Sequence, residues 1–267
     1  MIRVAAYQGT PKTSFPMRKE QIHQMLHEAD AAEIDFLCFP EGFLTGYYAQ
    51  GSLARATGLE IQGSLFRDFL LEVDQYRVTA IIGFNELAGD SLFDSVAVIE
   101  RGKLLGVQRK HYLYHDYFTP GVTFLPIWSK GISLGIIVCL DSNYFEPARL
   151  LAMQGATVLF CPMCNKVPLH HPYAKRPSHD SHLVARAQEN RCWLVAADWV
   201  WANDGEIVCP GHSCIYDPDG REISRSLEGR EEFLITDISL EHLFQEKGRR
   251  MHGSPVLFQQ ITGLRKD

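Results

Sequence analysis

The chain has 267 residues, a formal net charge of -6 and a composition of 46% apolar, 22% charged and 11% aromatic residues, enough to bury a sizeable core in an ordinary globular fold. The negative balance argues against a general nucleic-acid binder, which needs a basic surface against phosphates, so the expected partner is a small molecule. No run approaches the roughly 18 apolar residues of a membrane span, and the start "MIRVAAYQGT" lacks the pattern of a secretory leader, which makes a cytoplasmic location the expectation.

"IRVAAYQ" reads as a strand, "PMRKEQIHQMLHEADAAE" as a helix with apolar residues at helical spacing, and "IDFLCFPE" as a second strand. The order recurs with "SLFRDFLLEVDQYRV" as helix and "TAIIGFNE" as strand, and "SVAVIERGKLLGVQRK" then makes two strands about a turn at Gly102. "ISLGIIVCLD", "EPARLLAMQ" ended by Gly155, and "ATVLFCP" give strand, helix and strand again. "DSHLVARAQENR" is helical, "CWLVAADWV" strand-like, and "GHSCIYDPDGREI" a hairpin turned by Pro218, Asp219 and Gly220. "EEFLITDISLEHL" closes with a strand and a short helix. Alternating elements without a linker predict a single α/β domain over residues 1–267, with strands covered on both faces because several are continuous apolar runs.

Three apolar runs end on a reactive group: "IDFLCFPE" on Glu41, "KLLGVQRK" on Lys110 and "GIIVC" on Cys139. Ligands of open α/β sheets sit beyond strand ends. A thiol attacks as thiolate, and a reference pKa near ~8.5 requires a base or cation to activate it. Glu41 is suited to take the proton and Lys110 to hold the charge, while the backbone N–H of Leu140 and Lys110 are candidate oxyanion donors. A following helix would lower the thiol further. Taken singly, a cysteine placed like Cys139 is more often a small buried hydrophobe, and Glu41 and Lys110 are ordinary surface residues at strand ends in most proteins.

The three segments together resemble the nitrilase superfamily of carbon–nitrogen hydrolases. "FPEGFLTGY" is similar to the segment carrying the family's Glu, "VIERGKLLGVQRKHYL" to the hairpin carrying its Lys, and "VCLDSNYFEPARLLAMQGATVLFCP" to its nucleophile turn and following helix. "HLVARAQENRCWLVAA" and "GHSCIYDPDGREI" resemble two downstream segments, so the likeness runs from about residue 2 to about residue 240. The resemblance implies a four-layer α-β-β-α sandwich, association into a homodimer or larger homo-oligomer, and a C-terminal tail, 241–267, at that interface. It also implies no cofactor and no metal, with Glu41 as general base, Lys110 as stabiliser of the tetrahedral intermediate and Cys139 as nucleophile. The implied activity is hydrolysis of a small linear amide or N-carbamoyl compound through a thioester. A nitrile hydrolase, or a binding or regulatory protein of weakened turnover, are the alternatives.

Many members carry a second Glu shortly after the Lys, where this chain has "KHYLYHDYFTPG". Asp116, or His115 with different chemistry, is the expected replacement. Gln108 stands where the family's Tyr is usual and Phe145 where a Pro is common. Tyr47, Asn143 and Asn165 follow strand ends and, with Asp116 and Leu140, are expected to line the substrate pocket. The cysteines number seven, which argues against a disulfide framework. Cys161 and Cys164 have C-x-x-C spacing, with histidines 170, 171, 179 and 182 downstream, so a zinc or redox role is a third and weaker alternative.

Overall fold

A computed structural model describes residues 1–171, 176–201 and 207–241. In chain order its first half contains β1 (Ile2–Gln8), α1 (Phe15–Ala31), β2 (Phe36–Cys38), α2 (Gly51–Ala56), β3 (Leu59–Glu60), α3 (Ser64–Glu72), β4 (Thr79–Ala88), β5 (Ser91–Glu100) and β6 (Lys103–Arg109). The second half contains β7 (Ile127–Ser129), β8 (Ile132–Ile136), a 3-10 turn (Cys139–Asn143), α4 (Phe145–Met153), β9 (Val158–Pro162), β10 (Val167–Pro168), α5 (Arg176–Asn190), β11 (Trp193–Ala197), β12 (Val200–Trp201), β13 (Ile207–Pro210), β14 (Cys214–Tyr216), β15 (Glu222–Arg225) and β16 (Glu232–Ile238).

Helix α1 shows why these residues fold as they do. Ser14 caps it by accepting the Met17 N–H at 3.4 Å, Pro16 sits in its first turn where no N–H is needed, and Ile22, Met25, Leu26 and Ala29 form the buried stripe. Two mixed sheets organise the rest. One runs β16-β1-β2-β4-β5-β6, with β3 beside β4, and the other β15-β14-β11-β9-β8-β7. β1, β2 and β4 are parallel, as are β8, β9 and β11, while the hairpins β4–β5–β6, β7–β8 and β14–β15, and the sequence-distant pairs β1–β16 and β11–β14, extend the sheets in antiparallel sense.

Three apolar cores separate four layers. Ile22, Leu26 and Phe66 pack against Leu37 and Phe84 of the first sheet. Val4, Phe36, Val96 and Val98 meet Ile136, Val158, Phe160 and Val195 between the sheets. Leu151, Leu183 and Ala187 cover Leu159 and Leu194 on the far side. The architecture is therefore the single-domain α-β-β-α sandwich that the sequence implied.

Several local expectations are corrected. β8 ends at Ile136, and Cys139 opens the 3-10 turn instead of ending the strand. "CWLVAADWV" is two strands, because the buried Asp198 carboxylate accepts the Trp199 and Asn165 N–H groups and draws the chain out of its ladder after Ala197. β3, β10, β12 and β13 span two to four residues, too few to show a period. Residues 239–241 are not helical, and the remainder of the expected closing helix and the tail 242–267 lie outside the described residues.

Candidate active site

Glu41 lies three residues beyond β2, in a turn held from two directions. Its N–H donates to the Met163 carbonyl at 3.2 Å, and its carbonyl accepts the Trp199 indole N–H at 2.7 Å. Gly42, next in the turn, has a left-handed φ of 61°, which suits glycine. Gly83 of β4 lies so close beneath that a Cβ there would stand 2.3 Å from the Gly42 nitrogen.

Lys110 is the first residue after β6. Its N–H donates to the Asp94 carbonyl at 2.8 Å, and its own carbonyl accepts the Gly121 N–H at 2.7 Å. The ammonium donates to Glu41 Oε1 and to Asp94 Oδ2, the latter at 3.3 Å, and lies 5.7 Å from the centroid of the Tyr47 ring. Lys110, Glu41 and Asp94 are each 1% exposed.

Cys139 has a φ of 45°, a left-handed conformation rare for a side-chain-bearing residue, which presents its Sγ at the turn. The turn is fixed by Asp141, wholly buried, whose carboxylate accepts the N–H groups of Val138, His111 and Tyr112 at 3.1, 3.1 and 2.8 Å. One side chain thus ties the loop after Lys110 to the turn bearing Cys139.

Burial, followed by the Glu41 charge, pushes the Cys139 thiol well above its usual range, with Lys110 opposing. The resting group is therefore a thiol. This reverses the sequence-based expectation of a cation-lowered thiol, because enclosure and a facing carboxylate outweigh one ammonium. Burial alone would discharge Lys110, yet Glu41 and Asp94 raise it well above its ordinary value and keep it charged. Glu41 Oε2 is buried with no hydrogen-bond partner, open to accept a proton.

A cavity of about 280 Å³ opens on Cys139 and Lys110, and Tyr47, Leu140, Asn143 and Asn165 line it. Asn165 is oriented by Asp198, to which its backbone and side-chain N–H groups donate at 3.0 and 2.9 Å. Burial raises the Asp198 carboxyl to about 6 against those donors. Asp116 is different: it is exposed and is not among the described residues lining the cavity. His115 lies against the Tyr47 and Tyr117 rings, 5.5 and 5.0 Å between centroids, and burial followed by Lys166 lowers its pKa. The second carboxylate on Lys110 is instead Asp94, which the sequence reading missed along with Asp141, Asp198 and Trp199. Its signal was an Asp inside "SLFDSVAVIE", in phase with Val96 and Val98, which face the core between the sheets.

Cys161 and Cys164 do not form a pair. Cys161 packs under the outer helices with Leu151 and Leu183, while Cys164 packs with Tyr47 and Cys209. Among the described residues no group of three or more His, Cys, Asp or Glu is placed to hold a metal ion, and no helix is long and apolar enough to cross a membrane.

Residues 3–245 match the carbon–nitrogen hydrolase family. The chain belongs to that family. It is 30% identical over 217 residues, 80% of this chain and 76% of the relative, to an (R)-stereoselective amidase of Pseudomonas sp. It is 29% identical over 250 residues, 90% of each chain, to a nitrilase of Pyrococcus abyssi. The fold matches a carbon–nitrogen hydrolase from Helicobacter pylori G27 with a TM-score of 0.85 at 22% identity, covering 100% of this chain and 98% of that one. It also matches an amidase from Nesterenkonia sp. AN1, seen with acrylamide added to its active-site cysteine, with a TM-score of 0.76 at 18% identity over 97% and 99% of the two chains. This hydrolase and its relatives share one sandwich.

Proposed function

We propose that this hydrolase cleaves a small linear amide or N-carbamoyl compound, with Cys139 as nucleophile, Glu41 as general base and acid, and Lys110 as electrostatic stabiliser. The observation that carries the reading is the meeting of one thiol, one buried ammonium and one carboxylate with an unpartnered oxygen beside a single cavity. As Sγ attacks the carbonyl carbon, the thiol proton passes to Glu41 and the C=O electron pair moves to oxygen. The Lys110 ammonium and the Leu140 N–H face that oxyanion. Glu41 returns the proton to the leaving nitrogen, ammonia or amine departs, and the thioester remains. Glu41 then deprotonates water, whose attack releases the acid and restores the thiol.

The small cavity favours a compact substrate. Lys166 also lines it, 5.1 Å from the centroid of the Tyr47 ring and with no ion-pair partner among the described residues. That supports a substrate with an anionic group remote from the scissile bond. The names amidase and citrullinase among relatives point the same way, toward amides and carbamoyl groups. Self-association as a homodimer is part of the proposal, and light scattering of the purified protein tests it.

Ammonia release measured over a panel of amides, carbamoyl amino acids and nitriles identifies the substrate class. Cys139→Ala is expected to abolish release while the circular dichroism spectrum is unchanged; unchanged turnover in that variant sinks the proposal. A persistent covalent adduct on Cys139 without repeated turnover would favour the binding or regulatory alternative.

A further inference from the structure

The geometry points to Asp94 as a positioning residue of this active site, a second carboxylate that anchors Lys110 whenever Glu41 is neutralised by a proton. The inference rests on the reading of Cys139 as nucleophile. Asp94 projects from β5, remote in sequence from the loop where a second carboxylate was expected, and reaches Lys110 twice. Its carbonyl accepts the Lys110 N–H at 2.8 Å, and its Oδ2 accepts the ammonium at 3.3 Å. Oδ1 is buried and has no hydrogen-bond partner.

Charge counting supplies the reason. Glu41 and Asp94 flank one ammonium, so the trio carries a net negative charge when both carboxylates are ionised. Attack of the thiol sends its proton to this pair: the S–H bond breaks, the C–S bond forms, and the carbonyl electron pair becomes the oxyanion. With Glu41 alone, proton uptake would remove the ammonium's only carboxylate partner at that moment. With Asp94 present, one negative charge stays on Lys110, which remains charged and oriented while it faces the oxyanion. Two carboxylates sharing one ammonium also titrate as a unit, and their mutual repulsion favours uptake of the first proton. Burial, then Glu41, push the Asp94 carboxyl well upward, with Lys110 opposing, so the two carboxyls hold the incoming proton jointly and one negative charge stays on Lys110 whichever of them carries it. The titratable groups facing the pair are Lys110, Tyr47, Cys139, His115, Tyr117 and Cys164.

The test is the pH profile of Cys139 alkylation by iodoacetamide, followed by peptide mass mapping, which requires no substrate. In Asp94→Asn a like charge beside Glu41 is removed, so the acid limb of alkylation moves to lower pH by about one unit. On an identified amide, kcat falls at least about tenfold while KM changes less than about threefold, because Lys110 acts in the transition state. A structural role alone would reduce the amount of folded enzyme and leave the limb in place. An unmoved limb with unchanged kcat overturns the proposal. If the variant does not fold, the wild-type profile decides: two acid steps support a coupled pair, and a single step overturns it. Absence of turnover on every amide, with the limb still shifted, would fault the amidohydrolase reading and leave the Asp94 assignment standing.

Discussion

Gly83→Ala tests whether Glu41, the proposed general base, is placed by backbone contact. The added Cβ would stand 2.3 Å from the Gly42 nitrogen, 3.0 Å from the Glu41 carbonyl carbon and 3.1 Å from its Cα. The neighbours are backbone atoms, so no side chain can swing aside, and β4 and the Glu41 turn must separate by about 1 Å to reach ordinary contact. The Leu44 N–H bond to the Gly83 carbonyl, 3.0 Å, resists that separation. Overpacking of this kind costs about 1–3 kcal/mol, which lowers the melting temperature by roughly 3–8 °C in a chain of this size. Displacement of the base by about 1 Å is worth on the order of 100-fold in turnover. Calorimetry and initial rates of ammonia release on the same preparation read both effects. Turnover within about twofold of wild type, at any melting temperature, would refute the claim that Gly83 sets the position of Glu41.

Asp198 governs part of the pH dependence of stability. Its carboxyl rises from 3.8 to about 6 on burial, so its contribution is fully present below about pH 4 and is lost as pH climbs through about 6. The loss is about 3 kcal/mol, and Asp198→Asn is expected to remove it from unfolding free energies measured in urea at several pH values; parallel curves for the two proteins would contradict this. Arg109 donates to the buried Glu86 at 2.9 and 2.6 Å, and its guanidinium lies 3.8 Å from the centroid of the Phe93 ring. Arg109→Met therefore leaves the buried Glu86 carboxylate with the Ser95 hydroxyl, at 2.7 Å, as its remaining side-chain donor among the described residues and costs about 2 kcal/mol after discount for the half-exposed Arg, and an unchanged urea midpoint would count against it. Lys166→Met should raise KM about tenfold for carboxylate-bearing amides and leave neutral amides unaffected; equal effects on both classes would remove the anionic end from the proposed substrate.

Where the sequence was legible, it was so because strand ends and chemistry coincide. Glu41 and Lys110 follow apolar runs that are β2 and β6, and the order of elements specifies the sandwich without knowledge of any contact. Asp116 was misplaced because the loop after Lys110 carries no periodicity, so its side-chain directions are not written in the spacing. Asp94 was overlooked for the opposite reason. It lies within a strand, where alternation fixes its direction, but its partner Lys110 is adjacent only through the β5–β6 register that pairs Ser95 with Arg109. The pKa of Cys139 was beyond reach for a third reason: desolvation depends on its packing against the core between the sheets and the core under α4 and α5, a property of the assembled fold.

The site takes its residues from two separately packed sheets, Glu41, Asp94 and Lys110 from the first and Cys139 from the second. Their spacing is therefore a property of sheet-on-sheet packing, and small shifts across the core of Phe36, Val96, Ile136 and Phe160 would alter it. Three contacts oppose such shifts: Glu41 N–H to Met163, the Trp199 indole to the Glu41 carbonyl, and Asp141 to the His111 and Tyr112 N–H groups. All three join the first sheet's loops to the second sheet's. The same region holds buried polar atoms without partners, Glu41 Oε2 and Asp94 Oδ1. Left unpaired, each costs about 1–3 kcal/mol, and a proton shared between the two carboxyls would relieve both. The cross-sheet bonds fix where Glu41 and the turn bearing Cys139 stand relative to one another, which is the spacing the proposed proton transfer needs.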